Sequence, residues 1–484
     1  GISEGQPILT ALSRTYDAQS QPLVKETVLK TVPLPFTLTQ WTAGPHTLTV
    51  EAKGARIVTR LDDVVIDTLE NTDHRQGTAG IFQAGPATFG QSAPAPDAIV
   101  LHELTVTPAN GSVTRAAFSG NDNPLSGGTI EADGLHIANA RGVDIVFPQT
   151  EPAALLRRLF IIEGDVVEAR LYVAAGGFPR IDINGKTINE AVGDGFTAYD
   201  RRVLYRTLDV TDHIRRGDNV IGLELGRGWY DLVEPNEWYW HEAPWRNRPT
   251  ARLQLEVTLA DGSRQIVTTD DQWRTHPGPT RHDSIYAGER YDARLLPRGW
   301  SQPGFDDRDW TAARLVHGPA GRLDAAEQQP IAVVGTRRAV SLKQVRPGVW
   351  IYDFGSIFAG RLHLKVNGPS GQTISMIQHE KLRPDGTVLS ASGLVDTQLQ
   401  TDQYTLAGDG PEDWTPRFGY RGFRYVEVRG FPGTPTLDSL TGEVMHSDVA
   451  SIGSFESSNP LLNQIQAAAR ATILNNMQDR KSVV

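Results

Sequence analysis

One segment of the sequence, from Gly226 to Trp245, concentrates side chains that are suited to ligand binding. It holds four of the 10 tryptophans within 20 positions. Aromatic faces stack on the C–H faces of sugar rings, while nearby carboxylates and amides bond the hydroxyl groups, so the segment predicts a carbohydrate site. The predicted substrate-binding residues are Trp229, Tyr230, Trp238, Trp240 and Trp245. The alternative is that these rings fill a core or an interface between β domains. If the segment is extended, Trp238 and Trp240 point the same way.

Two carboxylates near position 290 could supply the acid and base of a glycosidase. Glu289 and Asp292 lie in a stretch where acidic and basic residues alternate. That order favours ion pairs that hold a linker against its neighbours. Glu380 and Asp402 are interpreted in the same way, as residues at strand ends. The sequence therefore predicts no catalytic residue, and an active site on Glu289, Asp292 or Glu380 is kept as an alternative.

The sequence lacks the common signatures of metal, phosphate and nucleophile chemistry. Three His-Glu pairs lack the second histidine that a helical zinc site needs: His102-Glu103, His241-Glu242 and His379-Glu380. There are 0 cysteines and no Gly-x-Ser-x-Gly elbow. Lys186-Thr187 lacks the upstream glycine of a phosphate-binding loop, since Arg180 stands there, and Asn184-Gly185 predicts a hairpin turn instead. Asn121-Asp122-Asn123 could offer oxygens to calcium but is typical of a solvated turn. We expect neither a metal nor a cofactor.

Composition limits the class of protein and its partners. The chain has 484 residues, a mass of 53.0 kDa and a net charge of −10, so as a whole it repels nucleic acid and anionic lipid. No stretch approaches the roughly 20 apolar residues that span a bilayer. The first residues, Gly-Ile-Ser-Glu-Gly, have neither methionine nor a signal-peptide pattern, from which we expect that the native start has been removed. The sequence leaves the location open, with a periplasmic or secreted protein favoured.

Short alternating strands with many turn-formers predict an all-β fold of several sandwich or jelly-roll domains in tandem. Residues 1–150 are predicted to form one β-sandwich module, in which the run Asp62–Asp67 resembles laminin-G or concanavalin-like modules. Residues 151–325 are predicted as a jelly roll and 326–450 as a second sandwich. The stretch Pro277–Asp309, rich in Gly, Pro, Asp and Arg, is predicted to be an extended loop that links the two.

The pattern changes to a helical period only at the end of the chain. From Leu461 to Met477 apolar residues recur three or four positions apart. Asn459 is a suitable N-cap, and Pro460 suits the first helical position. Residues 451–484 are therefore predicted to hold one helix.

Nine strings in order resemble the N-terminal half of bacterial α-L-rhamnosidases, glycoside hydrolase family 78. The strings that resemble the family's N-terminal jelly roll are Ala169–Val173, Asn184–Lys186, Tyr205–Thr211, Gly226–Tyr230 and Tyr286–Arg294. Those that resemble its following sandwich are Asp353–Gly360, His379–Gly386, Thr401–Tyr404 and Pro416–Val426. The string Pro416–Val426 is the most recognisable of them.

The resemblance implies an (α/α)6 catalytic barrel after the β domains, with the helix from Asn459 as its lead-in. The family inverts at the anomeric carbon with two carboxylates, which such chemistry holds roughly 6.5–9.5 Å apart. Those positions lie in the barrel, so no residue here inherits a catalytic role. The residues from Asp479 to Val484 depart from the family's pattern, from which we expect a truncated chain whose helix would pack against its own missing barrel.

Two classes of function follow. The first is the non-catalytic β-domain portion of an α-L-rhamnosidase, whose parent removes terminal rhamnose from glycosides or polysaccharides. The second is a freestanding lectin-like or adhesion protein without hydrolase activity. An amphipathic helix without a partner leaves an apolar stripe exposed, which favours the first.

Overall fold

The computed structural model describes residues 152–188, 197–234, 236–389 and 400–477. Earlier in the chain it describes the shorter ranges 2–3, 6–17, 21–34, 37, 40, 44–53, 55–70, 99–107, 114–117, 129–131 and 134–137. The chain divides into two compact units, Gly1–Ala79 and Gly80–Val484.

The described residues of the first unit form two three-stranded antiparallel sheets. One sheet consists of β1 (Ile2–Ser3), β2 (Gln6–Asp17) and β3 (Gln21–Pro33). The other consists of β4 (Leu48–Lys53), β5 (Arg56–Leu61) and β6 (Val64–Glu70). Asp62 and Asp63 join β5 to β6 with φ of 48° and 66°, a left-handed turn that aspartate tolerates.

The described part of the second unit begins with five short strands. They are β7 (Ile99–Leu101), β8 (Glu103–Val106), β9 (Thr114–Ala117), β10 (Thr129–Glu131) and β11 (Gly134–Ile137). Much of the surrounding chain, including Asn121–Asn123, lies outside the described residues. The predicted module of residues 1–150 and the predicted boundaries near 325 and 450 therefore stay predictions.

Two facing sheets then form a jelly roll. Its strands are β12 (Ala154–Ile162), β13 (Val166–Gly176), β14 (Phe178–Ile183), β15 (Lys186–Thr187), β16 (Arg202–Asp209), β17 (Gly217–Gly226), β18 (Thr250–Leu259), β19 (Arg264–Thr268), β20 (Arg274–Pro277), and, after two strands of the next sheet, β23 (Thr311–Ala312) and β24 (Arg322–Ala325). The sheet orders are β15-β14-β17-β12-β20-β23 and β19-β18-β13-β16-β24. Alternate residues such as Leu171, Ile181 and Leu255 are fully buried between the sheets, as period-two patterning requires. The predicted Asn184-Gly185 turn is confirmed, with φ of 51° and 82° between β14 and β15.

A ten-stranded sheet follows. Its strands are β21 (Thr280–Ser284), β22 (Gly288–Asp292), β25 (Ile331–Arg338), β26 (Ser341–Arg346), β27 (Val349–Val366), β28 (Thr373–His379), β29 (Thr401–Thr405), β30 (Glu412–Trp414), β31 (Arg421–Arg429) and β32 (Leu440–Ser447). The main path is β21-β22-β29-β28-β31-β27-β32-β25, with β26 and β30 paired to β27. Its core centres on aromatic rings such as Tyr352, Phe358 and Phe423.

The prediction that Pro277–Asp309 is an extended linking loop is wrong. Within it, β21 and β22 form an antiparallel hairpin, and β22 pairs in parallel with β29 at the edge of the ten-stranded sheet. One charged residue of this stretch, Glu289, has buried partners more than 100 residues away. One such contact is the Glu289 N–H, which donates to the carboxylate of Asp402 at 2.9 Å.

One α-helix lies wholly within the described residues, α1 (Pro460–Asn476), as do three short 3₁₀ helices, Thr211–His213, Trp240–Glu242 and Ala293–Leu295. The predicted cap is confirmed, since the Asn459 side chain accepts the Leu461 N–H at 3.0 Å. At the other end, the Ser447 N–H donates to the Met477 carbonyl at 2.7 Å, which ties the helix to β32. No helix in the described part of the chain has the length and apolar character of a membrane span. The predicted all-β class is confirmed.

Candidate functional site

The tryptophan-rich segment is the connection from β17 to β18, and its base is fixed by charged groups. The Arg227 N–H donates to the Asp283 carboxylate at 2.7 Å, and the Arg227 guanidinium pairs with Asp231 at 2.6 Å. Both carboxyls are buried, and burial raises the pKa of Asp283 to about 7 and raises that of Asp231 as well. The loop is thus attached both to its own strand end and to the β21–β22 hairpin.

Asn236 organises the tip of the loop. Its side-chain oxygen accepts the N–H groups of Trp238 at 3.1 Å and Trp240 at 3.4 Å, and its amide nitrogen donates to the Glu234 carbonyl at 2.9 Å. Tyr239 is left-handed, with φ of 57°, and the chain then enters the 3₁₀ helix at Trp240. The segment is therefore not extended, and the expectation that Trp238 and Trp240 point the same way, which holds only for a strand, does not apply.

Seven aromatic rings form a continuous series in which neighbouring centroids lie 5.1–6.5 Å apart. In order they are Trp238, Tyr286, Trp229, Trp240, Trp245, Tyr199 and Tyr230. All five rings predicted from the sequence belong to this series. Their spacing is that of favourable aromatic pairs, so the rings support one another.

Exposure separates the five predicted rings. Tyr230 is buried, and its ring lies so close to β13 that a Cβ on Gly176 would approach it to 2.7 Å. Trp229, Trp240 and Trp245 are partly buried. Trp238 is 49% exposed and stacks on Tyr286 at 5.9 Å with an interplanar angle of 18°. Of the five, Trp238 presents the most open ring to solvent.

A buried acid and a histidine lie beneath the loop. The Nε2 atom of His282 is 3.4 Å from a carboxylate oxygen of Glu234, and both residues are more than nine-tenths buried. Burial lowers the pKa of His282. Burial opposes ionisation of Glu234, but its interactions with His282 and Ser284 outweigh the effect of burial and hold the pKa of Glu234 below its usual value. Burial and the Glu234 charge together raise the pKa of Tyr286 to about 12.

The carboxylates considered as an acid and base have other partners. Glu289 is 1% exposed, and one of its oxygens accepts the N–H groups of Arg417 at 2.7 Å and Phe418 at 3.0 Å. Burial raises the pKa of Glu289 to about 8, despite the nearby Arg417. Asp292 is paired with Arg294 at 2.7 Å and caps the 3₁₀ helix that follows. Asp292 thus forms an ion pair, whereas Glu289 accepts backbone hydrogen bonds instead, and the prediction that neither residue is catalytic stays a prediction.

The other two carboxylates, Asp402 and Glu380, differ in burial. Asp402 is buried and pairs with Arg421 at 3.0 Å, whereas Glu380 is exposed. Within the described ranges, no three histidine, aspartate or glutamate side chains are grouped so that they could hold a metal ion.

Sequence reasoning missed Tyr286 as a member of the aromatic series. The residue lies about 40 positions after the tryptophan-rich segment, inside the stretch predicted to be a linker. Tyr286 begins one of the strings that resemble the family, which was the available sign of a role. Its contact with Trp238 and Trp229, however, exists only because the hairpin folds its ring against them.

Comparison with known proteins gives a consistent result. Residues 164–335 match the family model of the α-L-rhamnosidase N-terminal domain, and residues 343–446 match that of the bacterial α-L-rhamnosidase concanavalin-like domain. The chain is 32% identical to an α-L-rhamnosidase of Streptomyces avermitilis over 479 residues, which cover 93% of this chain and 45% of the relative. It is 35% identical over 321 residues to an α-L-rhamnosidase of Alteromonas sp. (strain LOR), covering 64% of this chain and 34% of the relative.

A solved structure is also similar. The crystal structure of Streptomyces avermitilis α-L-rhamnosidase complexed with L-rhamnose aligns with a TM-score of 0.64 at 35% identity, over 68% of this chain and 32% of that one. The chain spans less than half the length of the curated relatives it matches.

Proposed function

Since this chain belongs to the bacterial α-L-rhamnosidase family, of which it carries the N-terminal and concanavalin-like domains, we propose that it is the non-catalytic β-domain portion of such an enzyme. The parent would hydrolyse terminal α-L-rhamnose by inversion. Inversion uses two carboxylates with room for a water between them. The acidic candidates among the described residues support the proposal, because Glu289 and Asp402 are buried in hydrogen bonds and ion pairs within the fold.

The exposed side of α1 supports a packing role for this portion. The helix presents four large apolar side chains, each 44–59% exposed, namely Leu461, Leu462, Ile465 and Ile473. A contiguous apolar stripe of this kind marks an interaction surface. We propose that it packs against the (α/α)6 barrel that the family places after these domains.

Hydrolysis provides a direct test. The isolated chain is expected to release no aglycone from an aryl α-L-rhamnoside above the buffer rate, because the proposed acid and base belong to the barrel. A colorimetric assay measures this, with the Streptomyces avermitilis enzyme as the positive control. Turnover that increases in proportion to the concentration of this chain would overturn the assignment as non-catalytic.

We also propose that the chain binds a rhamnose-containing glycan or glycoside at the tryptophan-rich loop. One observation carries this proposal: Trp238 combines an open indole face with a ring, Tyr286, stacked behind it. An indole held in this way is suited to stack on the apolar face of a sugar. The other four predicted rings then belong to the buried or partly buried part of the aromatic series that supports Trp238, namely Trp229, Tyr230, Trp240 and Trp245.

Removal of the Trp238 ring tests the binding proposal. Trp238→Ala is expected to weaken L-rhamnose binding about tenfold, as loss of one aromatic stack of about 1.4 kcal/mol implies. Calorimetric titration measures the change. Phe455→Ala removes another half-exposed ring, which lies outside the loop, and is the matched control. It should bind L-rhamnose with the same Kd as the unmutated chain. A titration of the unmutated chain that shows no heat of binding, or an unchanged Kd for Trp238→Ala, would contradict the proposal.

A further inference from the structure

Trp238 and Tyr286 come from different sheets of the second unit. Trp238 lies in the loop between β17 and β18 of the jelly roll, whereas Tyr286 lies in the turn between β21 and β22 at the edge of the ten-stranded sheet. Their rings are nevertheless nearly parallel, at 18°, with centroids 5.9 Å apart. Although Tyr286 stacks on Trp238, the tryptophan is still 49% exposed, so much of the residue remains accessible to a ligand.

Tyr286 is held by two backbone hydrogen bonds and is less exposed than Trp238. Its backbone N–H donates to the Ser284 hydroxyl at 3.2 Å, and its carbonyl accepts the Gln400 N–H at 2.8 Å. Its ring also meets the edge of Trp229 at 6.2 Å and 88°. The tyrosine ring is therefore a fixed surface, and the more exposed indole of Trp238 stacks on it.

The hairpin that carries Tyr286 is anchored on both sides. Asp283 accepts the Arg227 N–H at the base of the tryptophan loop, and Glu289 accepts two N–H groups from the segment before β31. The distance between the Trp238 and Tyr286 rings is thus set by contacts between the jelly roll and the ten-stranded sheet.

We infer that Tyr286 is the positioning residue of the carbohydrate site, which is consequently built jointly by the jelly roll and the β21–β22 hairpin of the ten-stranded sheet. This inference rests on the proposed binding of sugar at Trp238. Tyr286 covers one face of the indole and presents the other at a fixed angle, so binding does not have to order a freely rotating side chain. Such preorganisation lowers the entropic cost of association.

The test compares three replacements of Tyr286 by calorimetric titration with L-rhamnose, below the melting temperature of each variant. Tyr286→Phe keeps the planar ring and is expected to bind within about twofold of the parent chain, since the stack is retained. Tyr286→Ala removes the backing ring and is expected to bind about fivefold to tenfold more weakly, through the cost of ordering Trp238. Tyr286→Leu keeps apolar volume without a planar face and should also bind more weakly, which keeps the test informative if Tyr286→Ala does not fold.

Controls separate this inference from general destabilisation and from the proposed function. Tyr172→Ala removes a tyrosine from another aromatic pair of the jelly roll, Tyr172 with Tyr205 at 6.4 Å, and should leave the Kd unchanged. If the parent chain binds and Trp238→Ala does not, but Tyr286→Ala and Tyr286→Leu bind normally, the positioning role is wrong while the proposed function stands. If Tyr286→Phe binds as weakly as Tyr286→Ala, the stacked ring is not the cause, and the inference also fails. If the unmutated chain does not bind L-rhamnose, the proposed sugar binding is overturned and this inference falls with it, whereas the assignment as a non-catalytic portion is not affected.

Discussion

Asp402→Ala is expected to lower the free energy of unfolding by about 3–5 kcal/mol, because it leaves a buried cation without its partner. Arg421 is 2% exposed at its side chain and Asp402 is 0% exposed, and both carboxylate oxygens lie 3.0 Å from the same guanidinium nitrogen. Asp402 also accepts hydrogen bonds from Gln378 at 2.6 Å and from the Glu289 N–H at 2.9 Å. Urea denaturation followed by tryptophan fluorescence measures the change. Nine of the 10 tryptophans lie in the unit Gly80–Val484, which contains this pair.

The matched control is an Asp–Arg pair in the same sheet that water reaches. Asp353 binds Arg424 through two hydrogen bonds of 2.7 and 2.8 Å, but the two side chains are 21% and 36% exposed. Asp353→Ala is expected to cost about 0–1 kcal/mol, since solvent stabilises the arginine that remains. Equal losses for Asp402→Ala and Asp353→Ala would show that burial of Arg421 is not the source of the effect.

Features that depend on neighbours in the sequence were predicted well. The alternation of apolar and polar residues places the jelly-roll strands because a strand that is buried on one face needs that period. Asn184-Gly185 specifies its own turn, since both residues tolerate positive φ. The helix at Pro460 was predicted because its cap and its first residue are local signals.

The β21–β22 hairpin could not be predicted because its partners are remote. The alternating charges in the sequence predict an ion pair for Glu289, but its hydrogen bonds come from the backbone N–H groups of Arg417 and Phe418, about 130 residues later. Burial of a carboxylate depends on whether the fold supplies such donors, and a local sequence window does not contain them.

The recognisable string Pro416–Val426 has a structural explanation in the same contacts. Arg417 forms an ion pair with Glu224, a buried residue of β17, and its guanidinium lies 4.6 Å from the Tyr291 ring centroid. Phe418 packs against Gly226, where a Cβ would come within 2.4 Å of the ring. The string thus fastens the ten-stranded sheet to the jelly roll at the strand end from which the tryptophan loop starts.

The candidate site was predicted in part. Enrichment in tryptophan identified the loop, because that signal is compositional and local. Which ring faces solvent is decided by Asn236, by the left-handed Tyr239 and by Tyr286 from the hairpin. The hairpin contact is non-local, so spacing in the loop alone could not distinguish Trp238 from Trp240.

Gly288→Ala is expected to lower the free energy of unfolding by about 4 kcal/mol or more, because backbone strain and a steric clash add. Gly288 has φ of 123°, a conformation that residues with a Cβ rarely adopt. A Cβ here would lie 2.0 Å from the Thr401 carbonyl oxygen, and that backbone is held by the Thr401 N–H, which donates to Ala287 at 2.7 Å. The hairpin would have to move away from β29, and Tyr286 would move with it. Urea denaturation gives the loss, and titration with L-rhamnose should show weaker binding in the same variant.

Gly410→Ala is the control that carries the backbone strain without the steric clash. Gly410 has a similar φ of 114°, but no atom lies within 4 Å of the position that its Cβ would take. The strain alone is expected to cost about 1–3 kcal/mol, and sugar binding should not change because Gly410 lies in the turn before β30. The difference between the two alanine variants therefore measures how rigidly β29 holds the Thr401 carbonyl against the hairpin. If both variants lose the same stability, the Thr401 backbone yields freely, and the hairpin is not the fixed support that the Trp238 ring requires.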